Sequence, residues 1–172
     1  MWRYNPRMPT ERRHPNIVNQ DEIEPTKLEQ GKHGGAIRRF GPAAGNQQLG
    51  CSIMELAPGK ISFPYHFHCM NEEALYILSG TGTARIGDKR VPVRAGDWIA
   101  LPVGPDHAHQ MINDGSAPLV YLMLSTSHKC EVVGYPDSKK WGYAAGPDPT
   151  KPWVRQLSRD ALDYWDGEPD AK

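Results

Sequence analysis

Apolar and polar residues alternate with a period of two through most of the middle of this chain, which predicts short strands, each with one face buried. LGCSIMEL, residues 49–56, has this pattern and runs into Pro58-Gly59. EALYILS, from Glu73, reads as a strand that pairs across Gly80-Thr81-Gly82 with TARIG, and Gly87-Asp88 then turns the chain into RVPVR. DWIAL, HQMIN and PLVYLMLS complete the set. The run from Leu119 to Leu124 is continuously apolar, as expected of a central strand covered on both faces. One segment, SRDALDYW at 158–165, has the character of a short helix, with Tyr164 and Trp165 expected to cover the strand-built body. The expectation is an all-β protein.

Composition narrows the class. A chain of 172 residues suits one domain with a real core, and 17 glycines with 16 prolines supply the turns that many short strands need. Twenty basic and twenty acidic residues cancel, so no electrostatic footprint for nucleic acid or an anionic membrane is expected. No stretch approaches the ~20 apolar residues of a membrane span, and the basic N-terminus lacks the apolar run of a signal peptide. Cys51, Cys69 and Cys130 are odd in number and widely spaced, which argues against a disulfide scaffold and for a reducing cytoplasm. Residues 1–48 are polar and rich in Pro, Gly and Arg. They read as an arm with one or two short strands, because such a segment cannot bury a core alone.

The candidate chemistry lies between Gly59 and Asn113. His66 and His68 are two residues apart in a strand-like segment, so both imidazoles project from one face toward one ion. Glu73, from the next strand, would add a carboxylate, and a mixed N/O donor set suits a divalent first-row metal. A second block, GDWIALPVGPDHAHQMIN from Gly96, runs a strand into the Pro102-Gly104-Pro105 turn and then into histidines at 107 and 109. His109 is the natural fourth donor of that block. Gly80-x-Gly82 lacks the third glycine and the following helix of a dinucleotide loop, and no GxSxG or P-loop occurs, so nucleotide-binding and serine-hydrolase chemistries lack a starting residue set.

These two blocks resemble the two motifs of the cupin superfamily. The first is similar to G-x5-H-x-H-x3,4-E-x6-G, and the spacing from Glu73 to Gly80 selects Glu73 over Glu72. Gly59 stands one residue further from His66 than the pattern has it. The second is similar to G-x5-P-x-G-x2-H-x3-N. Gly96, Pro102 and Gly104 fall in place, His107 satisfies the first histidine spacing, and His109 satisfies the spacing to Asn113. The form taken by AHQMIN in small bacterial cupins favours His109 as the ligand, with His107 as the alternative. The flanks HPNIVNQDEIE, YPDS and DYWDGE also resemble those of small single-domain bacterial cupins, some of which are called sugar-phosphate isomerases.

The resemblance implies a double-stranded β-helix, or jelly-roll, barrel with an N-terminal arm over 1–48, a core over 49–134 and a C-terminal extension over 135–172. It implies one divalent metal (Zn, Mn, Fe, Ni or Co) on His66, His68, Glu73 and His109, and a small-molecule substrate. The leading expectation is an isomerase of a sugar or sugar phosphate, with the ion polarising a carbonyl and a nearby base, His107 or Glu72, moving a proton. The alternatives are an iron-dependent dioxygenase and a non-catalytic metal- or sugar-binding module, since the same donors serve all three. Phosphate recognition would need an arginine at the mouth, with Arg38, Arg39 and Arg94 as candidates. A homodimer is expected, formed by strand exchange of the arm.

Overall fold

The computed structural model describes residues 13–146 and 154–158. In chain order, β1 (Thr26–Gln30) and β2 (His33–Arg39) precede a short helix, α1 (Phe40–Ala44), and β3 (Leu49–Leu56). Then come β4 (Phe67–His68), β5 (Glu73–Ser79), β6 (Thr81–Ile86), β7 (Lys89–Arg94), β8 (Trp98–Leu101) and β9 (His109–Ile112). The chain continues through β10 (Leu119–Thr126), β11 (Cys130–Tyr135), β12 (Lys140–Ala145) and β13 (Val154–Ser158). Ser158 closes β13, and residues 159–165 of the expected helix, Tyr164 and Trp165 among them, lie outside the described residues.

Antiparallel pairing builds a six-stranded sheet in the order β1-β2-β3-β10-β5-β8, a four-stranded sheet β13-β12-β11-β4 and a three-stranded sheet β7-β6-β9. The apolar run at 119–124 is central, since β10 lies between β3 and β5. Alternation sets what each strand buries. Met54 and Leu56 of β3, Leu75 and Ile77 of β5, and Leu119 and Tyr121 of β10 meet Ala84, Val93 and Met111 from the three-stranded sheet in one core. Burying each of the larger side chains contributes about 2 kcal/mol.

The hairpin expected between EALYILS and TARIG does not form. β5 pairs with β10 and β8, while β6 pairs with β7 and β9. Gly80, with φ 84°, passes the chain from one sheet to another. A Gly-rich turn signal reports a local bend; the partners are chosen by which sheet can bury Leu75 and Ile77. The other turn, Gly87-Asp88, does join paired strands, with Ile86 opposite Lys89.

Asn113, the last residue of the second motif, is a structural tether. It is fully buried, and its side-chain amide donates to Leu56 O at 2.6 Å and Ala117 O at 2.9 Å while its Oδ1 accepts from Gly115 N–H at 3.0 Å. Asn113→Ala leaves those backbone groups unpaired and is expected to cost about 2 kcal/mol, or a fall of roughly 4–8 °C in Tm by calorimetry.

Candidate metal centre

Four donor groups converge where β4, β5 and β9 begin or end. His66 forms an isolated antiparallel bridge with His109, its N–H donating to His109 O at 3.2 Å and its carbonyl accepting from His109 N–H at 2.7 Å. Their ring centroids lie 4.5 Å apart. His68 is held in β4 opposite Val133 of β11, with its ring 5.1 Å from that of His66. Glu73 opens β5 opposite Ser125 and Leu101. The intervening Phe67 points the other way and packs with Tyr65, Ala108 and Cys69, so Cys69 is turned from the donors, as alternation requires.

For two of the rings, a hydrogen bond at the back sets the direction of the lone pair. His66 Nδ1 lies 2.7 Å from Pro64 O, and His109 Nδ1 lies 3.1 Å from His107 O. A carbonyl oxygen only accepts, so each Nδ1 carries the hydrogen and each neutral ring presents a bare Nε2. His109 Nε2 lies 3.0 Å from Glu73 Oε2, and His68 Nε2 lies 3.5 Å from Glu73 Oε1. Donor atoms of His66, His68 and Glu73 all fall within 4.8 Å of one another.

A bare nitrogen lone pair facing a carboxylate is repulsive, so this arrangement calls for a cation between them, either a proton or a metal ion. The donor set fits a divalent first-row ion: three imidazoles and one carboxylate, with the backs of the His66 and His109 rings on carbonyl acceptors. Burial pulls the His66 pKa down to about 4, helped by the neighbouring charges of His109 and His68, so this ring is neutral at physiological pH. Burial also disfavours charge on His68, but Glu131 and Glu73 outweigh it and hold its pKa above the ordinary value. For Glu73, burial pushes upward, yet the hydrogen bond that His109 donates when the cation between them is a proton on Nε2, together with the charges of His68 and His109, brings the carboxyl below its usual range.

Glu131 is the residue that the sequence reading misses. Only 9% exposed, its carboxylate accepts N–H bonds from Cys69 and Met70, both at 3.2 Å, and from Asn71 and Val132, both at 2.8 Å. It thereby fixes the loop joining His68 to Glu73. Its Oε2 also lies 3.4 Å from His68 Nδ1, an ion-pair distance without hydrogen-bond alignment. The available signal was a lone acidic residue inside the strand CEVVGY.

The two base candidates are placed elsewhere. Glu72 is exposed and alternates away from Glu73, its N–H bonded to Thr126 Oγ1 at 2.9 Å. His107 sits in a 3-10 turn, Pro105–His107, and its link to the centre is through its carbonyl. Of the three arginines, Arg39 lines a cavity of about 190 Å³ that also contains Glu73. Arg38 alternates to the outer face of β2 opposite Ile53, and Arg94 ends β7 opposite Thr81.

Residues 52–125 match the model of the cupin domain family. Among solved structures, a candidate sugar phosphate isomerase from Acidithiobacillus ferrooxidans is 26% identical, with a TM-score of 0.75, and the match covers 87% of this chain and 97% of that one. A predicted oxalate decarboxylase from Thermotoga maritima is also 26% identical, with a TM-score of 0.56 over 64% of this chain and 97% of its own. Among curated proteins, polyketide synthase CurC of Streptomyces cyaneus is 26% identical over 121 residues, spanning 67% of this chain and 73% of the relative. Among the described residues, no helix is long and apolar enough to cross a membrane.

Proposed function

Because this chain is a small cupin-domain protein, we propose that it holds one divalent metal ion on His66, His68, Glu73 and His109 and isomerises a small oxygen-rich metabolite, a sugar or sugar phosphate. The observation that carries the reading is the orientation of the rings: the Nδ1 sides of His66 and His109 are committed to carbonyls, while the Nε2 of His109 and of His68 face one carboxylate. A bound divalent ion would polarise a substrate carbonyl as a Lewis acid. The chain's own part is to aim the His66 and His109 rings through Pro64 O and His107 O, to keep His66 neutral by burial, and to hold the His68–Glu73 loop on Glu131. The Acidithiobacillus structure, matched over nearly its whole length, supports the isomerase class.

A second reading, a non-catalytic metal- or sugar-binding module, is favoured by the placement of Glu72 and His107, which puts neither expected base in the cluster. The protein is further proposed to be a homodimer. Tyr76 and Trp98 lie opposite each other across β5 and β8 and are both exposed, leaving an apolar outer face on the six-stranded sheet. A monomer mass in light scattering contradicts this.

Elemental analysis of the purified protein tests the metal reading. One equivalent of a divalent metal, either as isolated or after reconstitution, is the expected result; a parent protein that takes up none removes the basis of the proposal. Iron accompanied by oxygen uptake would move the assignment to a dioxygenase. Turnover without oxygen supports the isomerase, and metal without turnover supports the binding module.

Metal affinity should also depend on pH with a definite sign. Ligation needs the unprotonated ring, and His68 is the ring whose proton is held more tightly than usual. Affinity is therefore complete above the raised pKa of His68 and falls as pH drops through it. The decline starts above the ordinary histidine value of about 6.5. Metal titrations at several pH values check this, and an affinity constant down to about pH 5 contradicts it.

A further inference from the structure

The cavity that reaches Glu73 carries a charge pattern that the metal reading leaves unused. Strand register explains its lining. Ile37 and Met54 are buried partners across β2 and β3, so Arg39 and Ser52, two residues away and again partners, share that inward face. On the next strand Ser125 lies opposite both Gly50 and Glu73. A Cβ at position 50 would collide with Ser125 Oγ, so glycine there leaves room for the hydroxyl.

The result is a small cavity with two poles. At the inner end is Glu73, the one member of the donor cluster among the described lining residues, whose carboxylate also meets His109 and His68; at the rim is Arg39, the basic residue among those described that line the cavity. Thr26 Oγ1 accepts a bond from Arg39 Nη1 at 3.1 Å, which anchors one side of the guanidinium and leaves its other N–H groups for a ligand. Between the poles the walls are mixed, with Phe63 and Met123 beside Ile37 and the serines Ser52 and Ser125 among them. A complementary ligand is short, with an oxyanion at one end and a carbonyl or hydroxyl at the other.

Size and charge then decide which oxyanion fits. At about 190 Å³ the cavity falls below the range of roughly 300–1,000 Å³ that holds drug-sized ligands, so the ligand has few carbons. One guanidinium matches the single charge of a carboxylate in a forked pair. A phosphate monoester carries about −1.5 to −2 at neutral pH, more than the single positive charge that Arg39 supplies.

We propose that this cavity binds a small hydroxy or oxo carboxylic acid, its carboxylate held by Arg39 and its oxygenated end directed at the donor cluster. The assignment rests on the metal-centre reading and, among small oxygen-rich metabolites, sets a carboxylic acid in place of the sugar phosphate.

Glycerate, glycerol 3-phosphate and glycerol share a carbon skeleton and differ in the head group, so calorimetric titration of all three into the metal-loaded protein is the test. Glycerate is expected to bind the parent, to bind Arg39→Gln at least tenfold more weakly and to recover partly in Arg39→Lys. Glycerol 3-phosphate should bind the parent less tightly than glycerate, and glycerol not measurably. Equal glycerate affinity in parent and Arg39→Gln, tighter binding of the phosphate, or no glycerate binding by the parent would overturn the proposal. Metal content is the separate readout: Arg39→Gln should retain it in full, showing an intact cluster. A parent that takes up no metal defeats the metal-centre reading by itself. Glycerate titration of the metal-free parent and Arg39→Gln then still decides the role of Arg39, with a tenfold loss supporting it and equal affinity overturning it.

Discussion

Loss of the His109 imidazole is expected to lower divalent-metal affinity by on the order of a hundredfold or more, while loss of the His107 imidazole leaves it within about twofold. Both residues fit part of the same sequence motif, yet they reach the site in different ways. His109 brings Nε2 to 3.0 Å from Glu73 and its ring to 4.5 Å from that of His66. His107 contributes its carbonyl, which keeps the proton on His109 Nδ1 and survives side-chain truncation. Outer partners of metal ligands alone are worth about 10- to 100-fold, so a direct donor should exceed that. His109→Ala retains the backbone bridge to His66, and His109→Gln keeps most of the side-chain volume, so folding can be controlled for by circular dichroism. Elemental analysis of both variants beside the parent gives the answer. Metal lost from His107→Ala and kept by His109→Ala would reverse the assignment.

The largest effect on stability is expected at Gly80. Gly80→Ala should cost about 3 kcal/mol, roughly 9 °C in Tm for a chain of this length. Two costs add there. With φ 84° the residue lies in the left-handed region, which disfavours any side chain by about 1–2 kcal/mol. The new Cβ would also collide with Pro118 O and lie 3.0 Å from Leu119 Cα, both backbone atoms that cannot swing aside, and overpacking of this kind costs about 1–3 kcal/mol. Gly96→Ala is the control. Its φ is 94°, but nothing lies within 4 Å of the added atom, so only the backbone cost applies. Equal losses at the two positions would show that the close approach at Gly80 is unimportant.

Why Gly80 matters is also where sequence reading reaches its limit. Alternation in LGCSIMEL and the unbroken apolar run at 119–124 correctly gave β3 and the central β10, because a period of two reports which face is buried. It does not report which strand lies alongside, and so Gly80-Thr81-Gly82 read as a hairpin when it is a passage between sheets. The same limit divides the site. His66, His68 and Glu73 were legible because donors close in sequence share a face or a turn, and the structure brings them within 4.8 Å. Arg39 could have been separated from Arg38 by alternation from the buried Ile37, but its height above Glu73 depends on four strands in register. Glu131 was not legible, because its partners lie sixty residues earlier in the chain.

That distance in sequence matters for anyone who would transplant this centre. A segment cut from Gly59 to Asn113 carries all four donors and both motifs, and it looks self-contained. It would leave behind the carboxylate that ties Cys69, Met70 and Asn71 in place between His68 and Glu73. The smallest portable unit therefore includes β11, and a graft limited to the motif blocks should yield a loose donor set that binds metal weakly in its new host.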